Sequence, residues 1–229
     1  MGGRATPAAI GDTLHLMLEG ATLRIPIFPL SGAILFPRAQ LPLHIFEPRY
    51  RAMVRDALAG EQLIGMVQPR PGPESHQPAL FEIGCLGRIS GSEALDDGRF
   101  NIVLEGIGRF RISGEVEADT PYRQVDAETA GFDDLAEPEP LASVLRAELE
   151  RESRRYADAL GYAVDWEAVG RLDDEMLVNG IAQIAPLDVG SKQALLEAAD
   201  IAERCDLLVQ FMQFQRMLPG GADGPETMQ

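Results

Sequence analysis

One lysine, one tryptophan, two cysteines and three histidines leave this 229-residue chain poor in the groups that most often carry chemistry. Cys85 and Cys205 stand alone, with no CxxC and no spacing suited to a disulfide framework or a zinc site, so both are expected to be buried, reduced core thiols. His15, His44 and His76 show no HExxH or other ligand spacing, and His44, inside a strand-like run, reads as a hydrogen-bonded structural residue. There is no GxxxxGK[ST], which excludes the loop that cradles nucleotide phosphates. No apolar run reaches the length of a membrane span, and "AAIGDTLHLMLEG" near the start is broken by Asp12 and His15 before it could serve as a signal core. The expectation is a soluble, cytoplasmic protein with no membrane partner, no metal and no cofactor.

Basic charge is also scarce. Lys192 is the single lysine, the other 19 basic residues are arginine, and 36 acids bring the formal net charge to −16. The imbalance is spread evenly, with 17 acids to 11 bases over residues 24–137 and 15 to 8 over residues 138–219. With no basic face set aside, phosphate-backbone binding has no electrostatic support, and nucleic acid is excluded as an expected partner.

What is present is a core and a change of period. Hydrophobic residues make up 45% of the chain, enough for one large or two small domains. From Arg24, short apolar runs ("RIPIF", "AILF", "LPLHIF") alternate with Pro26, Pro29, Pro37 and Pro42 at their edges, as strands at the rim or edge of a sheet tolerate. "EPRYRAMVRDALAG" predicts a helix, with Pro48 at its first position, a stripe of Tyr50, Met53, Val54, Ala57 and Leu58, and Gly60 after its end. "QLIGMVQP", "FEIGCLGRIS" with two glycines suited to a bulge, "RFNIVLEGIGRFRISGEV" as two strands hinged at Glu105-Gly106, and "PYRQVDAE" complete the strands.

"GFDDLAEPEP" at 131–140 predicts a linker. Beyond it the period becomes helical, over roughly 141–160, near Trp166, along a face of Leu177, Ile181 and Ile184 stopped by Pro186, after an Asp188 cap, and behind an Asp200/Glu203 capping box with Leu207, Phe211, Phe214 and Leu218 in line. Two patterns that suggest catalysis have plainer readings. Ser191 and Lys192 are neighbours on a helix, pointing different ways, and read as a solvated first turn rather than a serine–lysine dyad. "GIGRF" lies between strands, not between a strand and a helix, so it is no dinucleotide loop. The paired acids at 96–97, 133–134 and 173–174 read as turn and helix-start residues.

Four blocks, "IPIFPLSGAILFPRAQLPLHIFEPRYRAMV", "EIGCLGRIS", "NIVLEGIGRFRI" and "LDVGSKQALLEAADIAERCDLLVQFM", in this order and spacing, closely resemble the N-terminal substrate-binding domain of the ATP-dependent Lon protease, over roughly residues 24–215. The resemblance implies an α+β protein: a PUA-like β-barrel with one packed helix, followed by a C-terminal helical bundle. The expected layout is a flexible leader over 1–22, the barrel over 23–130, the linker over 131–140, a helical subdomain over 141–218 and a disordered tail over 219–229.

It further implies a stand-alone, non-enzymatic module, without the ATPase and serine–lysine protease parts, that binds unfolded, damaged or apolar polypeptide segments as an adaptor or receptor alongside a proteolytic machine. The alternative is a small-ligand or orphan enzyme site in a barrel–helix cleft. An open apolar groove favours the first and a closed pocket with perturbed titratable groups the second. The strand-to-helix junction can expose apolar surface and arginine forks together, which makes Phe36, Arg38, Glu47, Arg49 and Tyr50 the candidate peptide-binding residues. Packing competes for Phe36 and Tyr50, and an acidic neighbour for Arg49.

The purified protein is expected to hydrolyse neither nucleotide nor peptide. Turnover of ATP or of a fluorogenic peptide that disappears in a Ser191→Ala variant would overturn the non-enzyme reading.

Overall fold

The computed structural model describes residues 22–73, 77–137 and 139–217, which separate into two compact units at the 137/138 boundary. The expected leader and tail, apart from Thr22, lie outside the described residues. The first unit is built from β1 (Thr22–Pro29), β2 (Gln40–Ile45), α1 (Pro48–Ala59), β3 (Leu63–Val67), β4 (Ile83–Ala94), β5 (Phe100–Val116) and β6 (Gln124–Glu128). The second holds α2 (Ser143–Ala159), α3 (Trp166–Gly170), α4 (Asp174–Ile184), α5 (Val189–Glu197) and α6 (Ile201–Met217). Apart from α1, strands and helices are therefore segregated along the chain, as the change of period predicts.

The strands form one mixed sheet in the order β2-β5-β4-β3-β1-β6, and a further β5–β6 pairing closes it on itself. β1 and β3 run parallel, joined through β2 and α1; the other pairs are antiparallel. The glycine-containing hinge expected to split residues 99–116 into two strands instead lies within a single 17-residue strand. β5 changes partners along its length. Residues 100–105 pair with β2 on one side, and residues 111–116 pair with β6. The chain crosses that switch at Gly106, where a Cβ would stand 2.0 Å from the Phe36 carbonyl oxygen, so no other residue permits this approach. Bulges in the β4–β5 ladder fall at Leu86/Gly87, at one of the two glycines that suggest it, and at Ile89/Gly91; Gly84 pairs regularly with Phe110.

The proline placement now has a structural cause. β2 is the outer strand of a three-stranded arm with β5 and β4. The Gly106 N–H donates to the Ala39 carbonyl, so odd-numbered residues here turn their backbone toward β5 and even-numbered ones turn it away. Pro42, opposite Val103, is even-numbered, and its missing N–H lies on the unpaired side, where a ladder loses nothing. The "AILF" run is not a strand. Ala33–Phe36 is irregular backbone, yet Ile34, Leu35 and Phe36 are almost wholly buried because they plug the barrel beside the Gly106 crossing. Ile25, Ile27, Leu86, Phe110 and Val125 form the core inside the closed sheet. α1 buries Tyr50, Met53, Val54 and Ala57, four of its five predicted stripe residues.

The stretch 131–140, read from its acids and prolines as a linker, begins as part of the barrel. Asp134 is buried and takes the Arg109 guanidinium through Nε at 3.0 Å and Nη2 at 2.8 Å, while accepting the Arg109 backbone N–H at 2.6 Å. Phe132 lies under the same guanidinium, 5.0 Å from its centre, and Arg38, held in a left-handed backbone with φ 60°, donates to the Asp134 carbonyl. From Leu135 the described residues are exposed up to Leu141.

In the helical unit the caps fall where expected. Asp173 and Asp188 accept first-turn N–H groups, and Asp200 and Glu203 accept from Glu203 and Ala199 respectively. Two stripes are rotated from their predicted faces. α4 buries Leu177, Val178, Asn179 and Ala182 and leaves Ile184 80% exposed; α6 buries Cys205, Leu208, Val209 and Met212 and exposes Phe214. The reason is polar. Arg204, buried between helices, donates to the Leu195 carbonyl and to Asn179 Oδ1, both at 2.8 Å, and draws that face of α6 inward. Lys192, expected to be solvated, is also buried; its Nζ donates to the Gln183 carbonyl at 2.9 Å at the C-terminus of α4, and burial lowers its pKa. Both cysteines are buried and free, and burial pushes Cys205 up to about 12.

Replacing Asp134 by Ala strands a buried guanidinium and should cost roughly 3–5 kcal/mol. Arg24→Gln, which removes the exposed Arg24–Asp126 pair, should stay within about 0.5 kcal/mol. Thermal melts read both. Limited proteolysis should also show Asp134→Ala widening cleavage from 135–140 back toward 131; unchanged melting would show that the pair does not anchor this segment.

Candidate functional site

Two of the concavities among the described residues of the barrel unit involve β2 and the start of α1. The first is a cleft of about 260 Å³, walled by Pro29, Pro69, Pro78 and Pro121 and floored by Tyr50 and Tyr122, with Arg49, Arg123 and Gln77 completing its lining. Pro48 at the first position of α1 presets the helical φ, and this turns Arg49 and Tyr50 toward the barrel. The Tyr50 ring packs against Phe28, with centroids 4.3 Å apart, and the Arg49 guanidinium lies over it at 4.5 Å. Arg49 also pairs with Glu47 at 2.9 Å, both side chains being more than two-fifths exposed, so this bond is weak and exchangeable.

Arg123 is held harder, gripping both oxygens of Glu115 at 2.7 and 2.8 Å and donating to the Pro78 carbonyl at 2.9 Å. This bond holds the Glu115 carboxyl below the usual range. Tyr122 donates to Asp56 of α1 at 2.7 Å; burial, then this bond to a carboxylate, pushes its pKa up to about 12. Burial raises Tyr50 as well, against the opposing field of Arg49.

The second concavity is a shallow groove of about 560 Å³ on the outer face of the arm. Pro42, Val103 and Gly91 face it side by side across the three strands, Leu43 and Ile102 reach it only from between them, and at one end His44, Asn101 and Glu93 form the next row. In that row His44 Nδ1 lies 2.7 Å from Asn101 Oδ1, and Asn101 donates to Glu93 at 2.9 Å. His44 is thus hydrogen-bonded as expected, and Phe46, 61% exposed, stacks beside it at 6.3 Å.

The five residues singled out from sequence are split by this geometry. Arg49 and Tyr50 line the cleft, and Glu47 holds Arg49 at its rim. Arg38 turns instead to the Asp134 segment. Phe36 has no exposed surface, so it cannot meet a partner without unfolding the plug it belongs to. Missed from sequence were Tyr122 and Arg123, which follow a proline in what reads only as a last strand, and Phe46. An exposed aromatic directly before a proline-started helix is the signal that was available. Among the described residues, no group of three or more His, Cys, Asp or Glu is placed to hold a metal ion, and no helix is long and apolar enough to cross a membrane.

The family model of the ATP-dependent protease La (LON) substrate-binding domain matches residues 24–213. Similar curated proteins include Lon protease 2 of Sorangium cellulosum, 29% identical over 202 residues, covering 81% of this chain and 24% of that protein. Lon protease 2 of Myxococcus xanthus is 28% identical over 217 residues, covering 93% and 26%. The chain thus spans about a quarter of the length of these relatives. Among solved structures, a Lon N-terminal domain protein from Xanthomonas campestris is 25% identical with a TM-score of 0.58, covering 83% of this chain and 99% of that one. The N-terminal domain of Mycobacterium avium complex Lon protease shares the fold at 20% identity and the same TM-score, covering 83% and 98%.

The folded protein keeps the protons of Tyr122 and of Tyr156, also raised to about 12, beyond the ordinary phenol value of 10.0. The stability this contributes is complete below pH 10 and is lost as pH rises through about 12. Urea midpoints measured between pH 9 and 12 should fall with pH, less steeply in Tyr122→Phe; parallel curves for the two proteins would contradict the assignment.

Proposed function

Because the chain belongs to the ATP-dependent protease La (LON) substrate-binding domain family, we propose that it is a non-catalytic receptor for polypeptide, taking unfolded or apolar segments along the outer face of the β2–β5–β4 arm. The match over residues 24–213, spanning both units, is the observation that carries this reading. The groove supports it in kind. Pro42 and Val103 give it an apolar floor, it is shallow, and the exposed Phe46, stacked on the lining His44, would serve as an aromatic anchor beside it. Glu47 follows Phe46 directly in the chain and would extend the polar edge there, while Arg49 and Tyr50 turn to the cleft instead.

Pro42 deprives the unpaired side of β2 of one N–H, which disfavours a client adding itself as a further strand. Side-chain contact across the face is therefore the expected mode. The net charge of −16 biases clients toward neutral or basic segments. An adaptor role beside a protease is part of the same proposal. The small-ligand alternative rests on the 260 Å³ cleft, whose two tyrosines have raised pKa values.

A permanently unfolded protein, its folded counterpart and a single-stranded RNA, titrated at low and moderate salt, test this. The expected result is preference for the unfolded chain with Kd of roughly micromolar order, nearly independent of salt. Phe46→Ala should weaken it about tenfold, as loss of an aromatic anchor does. Equal binding of folded and unfolded forms, or salt-sensitive RNA binding, would sink the reading.

A further inference from the structure

Tyr50 is placed as a ligand-binding group, not only as a core ring. The residue is 6% exposed, with its ring in contact with both Phe28 and Arg49, and it lines the cleft. Among the described residues its hydroxyl has no hydrogen-bond partner. The ring is buried, but the oxygen is not one of the shut-off polar atoms, so the O–H keeps access to the space of the cleft. Tyr122, the other phenol of the same cleft, has its bond to Asp56.

The charged side chains of the cleft lining are two arginines, Arg49 and Arg123, and the fields of both reach the Tyr50 phenol. Arg49 gives Glu47 only its Nε and Nη2, both to the same oxygen, and its Nη1 is unused among the described residues. Arg123 is clamped by Glu115 with its guanidinium in the lining. The carboxylates that serve these groups, Glu47, Asp56 and Glu115, are not themselves part of the lining. A cation would therefore meet two guanidiniums, whereas an acceptor would meet a free phenol O–H and a free arginine N–H in one small, proline-walled space.

From this we infer that the cleft bounded by Tyr50, Arg49 and Arg123 is a carboxylate-binding subsite, sized for a single acyl group with a short apolar body. The planar fork of Arg49 suits two carboxylate oxygens, and exchange of its exposed bond to Glu47 frees it to engage. Burial keeps the Tyr50 phenol protonated, and so a donor, at neutral pH. The carboxylate can come from the end of a polypeptide or from an acidic side chain. The site is distinct from the arm groove and does not depend on the polypeptide reading.

The test uses the full chain and sodium propionate, with propionamide as the uncharged match, followed by tyrosine-ring NMR shifts. Propionate should give a saturable shift that propionamide does not. Tyr50→Phe, which removes one oxygen and keeps the ring, and Arg49→Gln at a half-exposed position should each weaken it about five- to tenfold. Three neutral peptides then separate the sources: one with a free C-terminus, one amidated, and one amidated with a single internal Glu. A gain with the free terminus alone assigns the chain end, and an equal gain with the internal Glu assigns the side chain. Indistinguishable propionate and propionamide, or binding untouched by both substitutions, overturns the inference. If unfolded protein is still bound in that case, the polypeptide reading stands alone; if propionate binds and unfolded protein does not, only the polypeptide reading falls.

Discussion

β5 is shared between two structures that make different demands of it. Its first six residues hold the arm together, and its last six close the barrel against β6. The single crossing at Gly106 lets the Phe36 carbonyl come where a side chain would otherwise stand. That close approach places the Ile34–Phe36 plug in the barrel and sets Arg38 in the left-handed turn that follows. The plug in turn fixes where β2 begins, and β2 leads without a break through Phe46 into α1 and the cleft. Both concavities thus inherit their position from one backbone contact.

The buried pair of Arg109 and Asp134 plays the corresponding part at the far end of this unit. Arg109 projects from the barrel half of β5, and Asp134 belongs to a segment that has left the sheet. A buried ion pair contributes little net stability compared with an apolar pair of the same volume, but it is severe toward any arrangement that separates the charges. Three further contacts, from Phe132, the Arg109 backbone and Arg38, converge on the same place. The pair therefore reads as a device that sets where the barrel unit ends, after which the described chain runs exposed.

Local rules served where the cause was local. Pro48, Asp173, Asp188, Asp200 and Glu203 act as their positions in sequence predict, because capping involves only groups a few residues apart. The failures share a different cause. Asp134 looks like a solvated turn acid until Arg109, 25 residues earlier, is brought to it by the sheet. Lys192 and Arg204 look exposed by type, yet both are taken inside by carbonyls of neighbouring helices, and the apolar stripe of α6 rotates to follow. Of the candidate site, Arg49 and Tyr50 were legible from the helix start. Tyr122 and Arg123, 72 and 73 residues beyond Tyr50, were not, since only the β1–β6 pairing brings them alongside.

The burial of Lys192 reaches beyond packing. It is the only lysine, and its ammonium is committed to a helix-end carbonyl inside the second unit. The described surface is therefore one of guanidinium and carboxylate, offering no side-chain amine to acylating reagents or to enzymes that conjugate proteins through lysine. Another protein that carries ordinary lysines can be labelled through them in this chain's presence while the side chains of this chain stay silent.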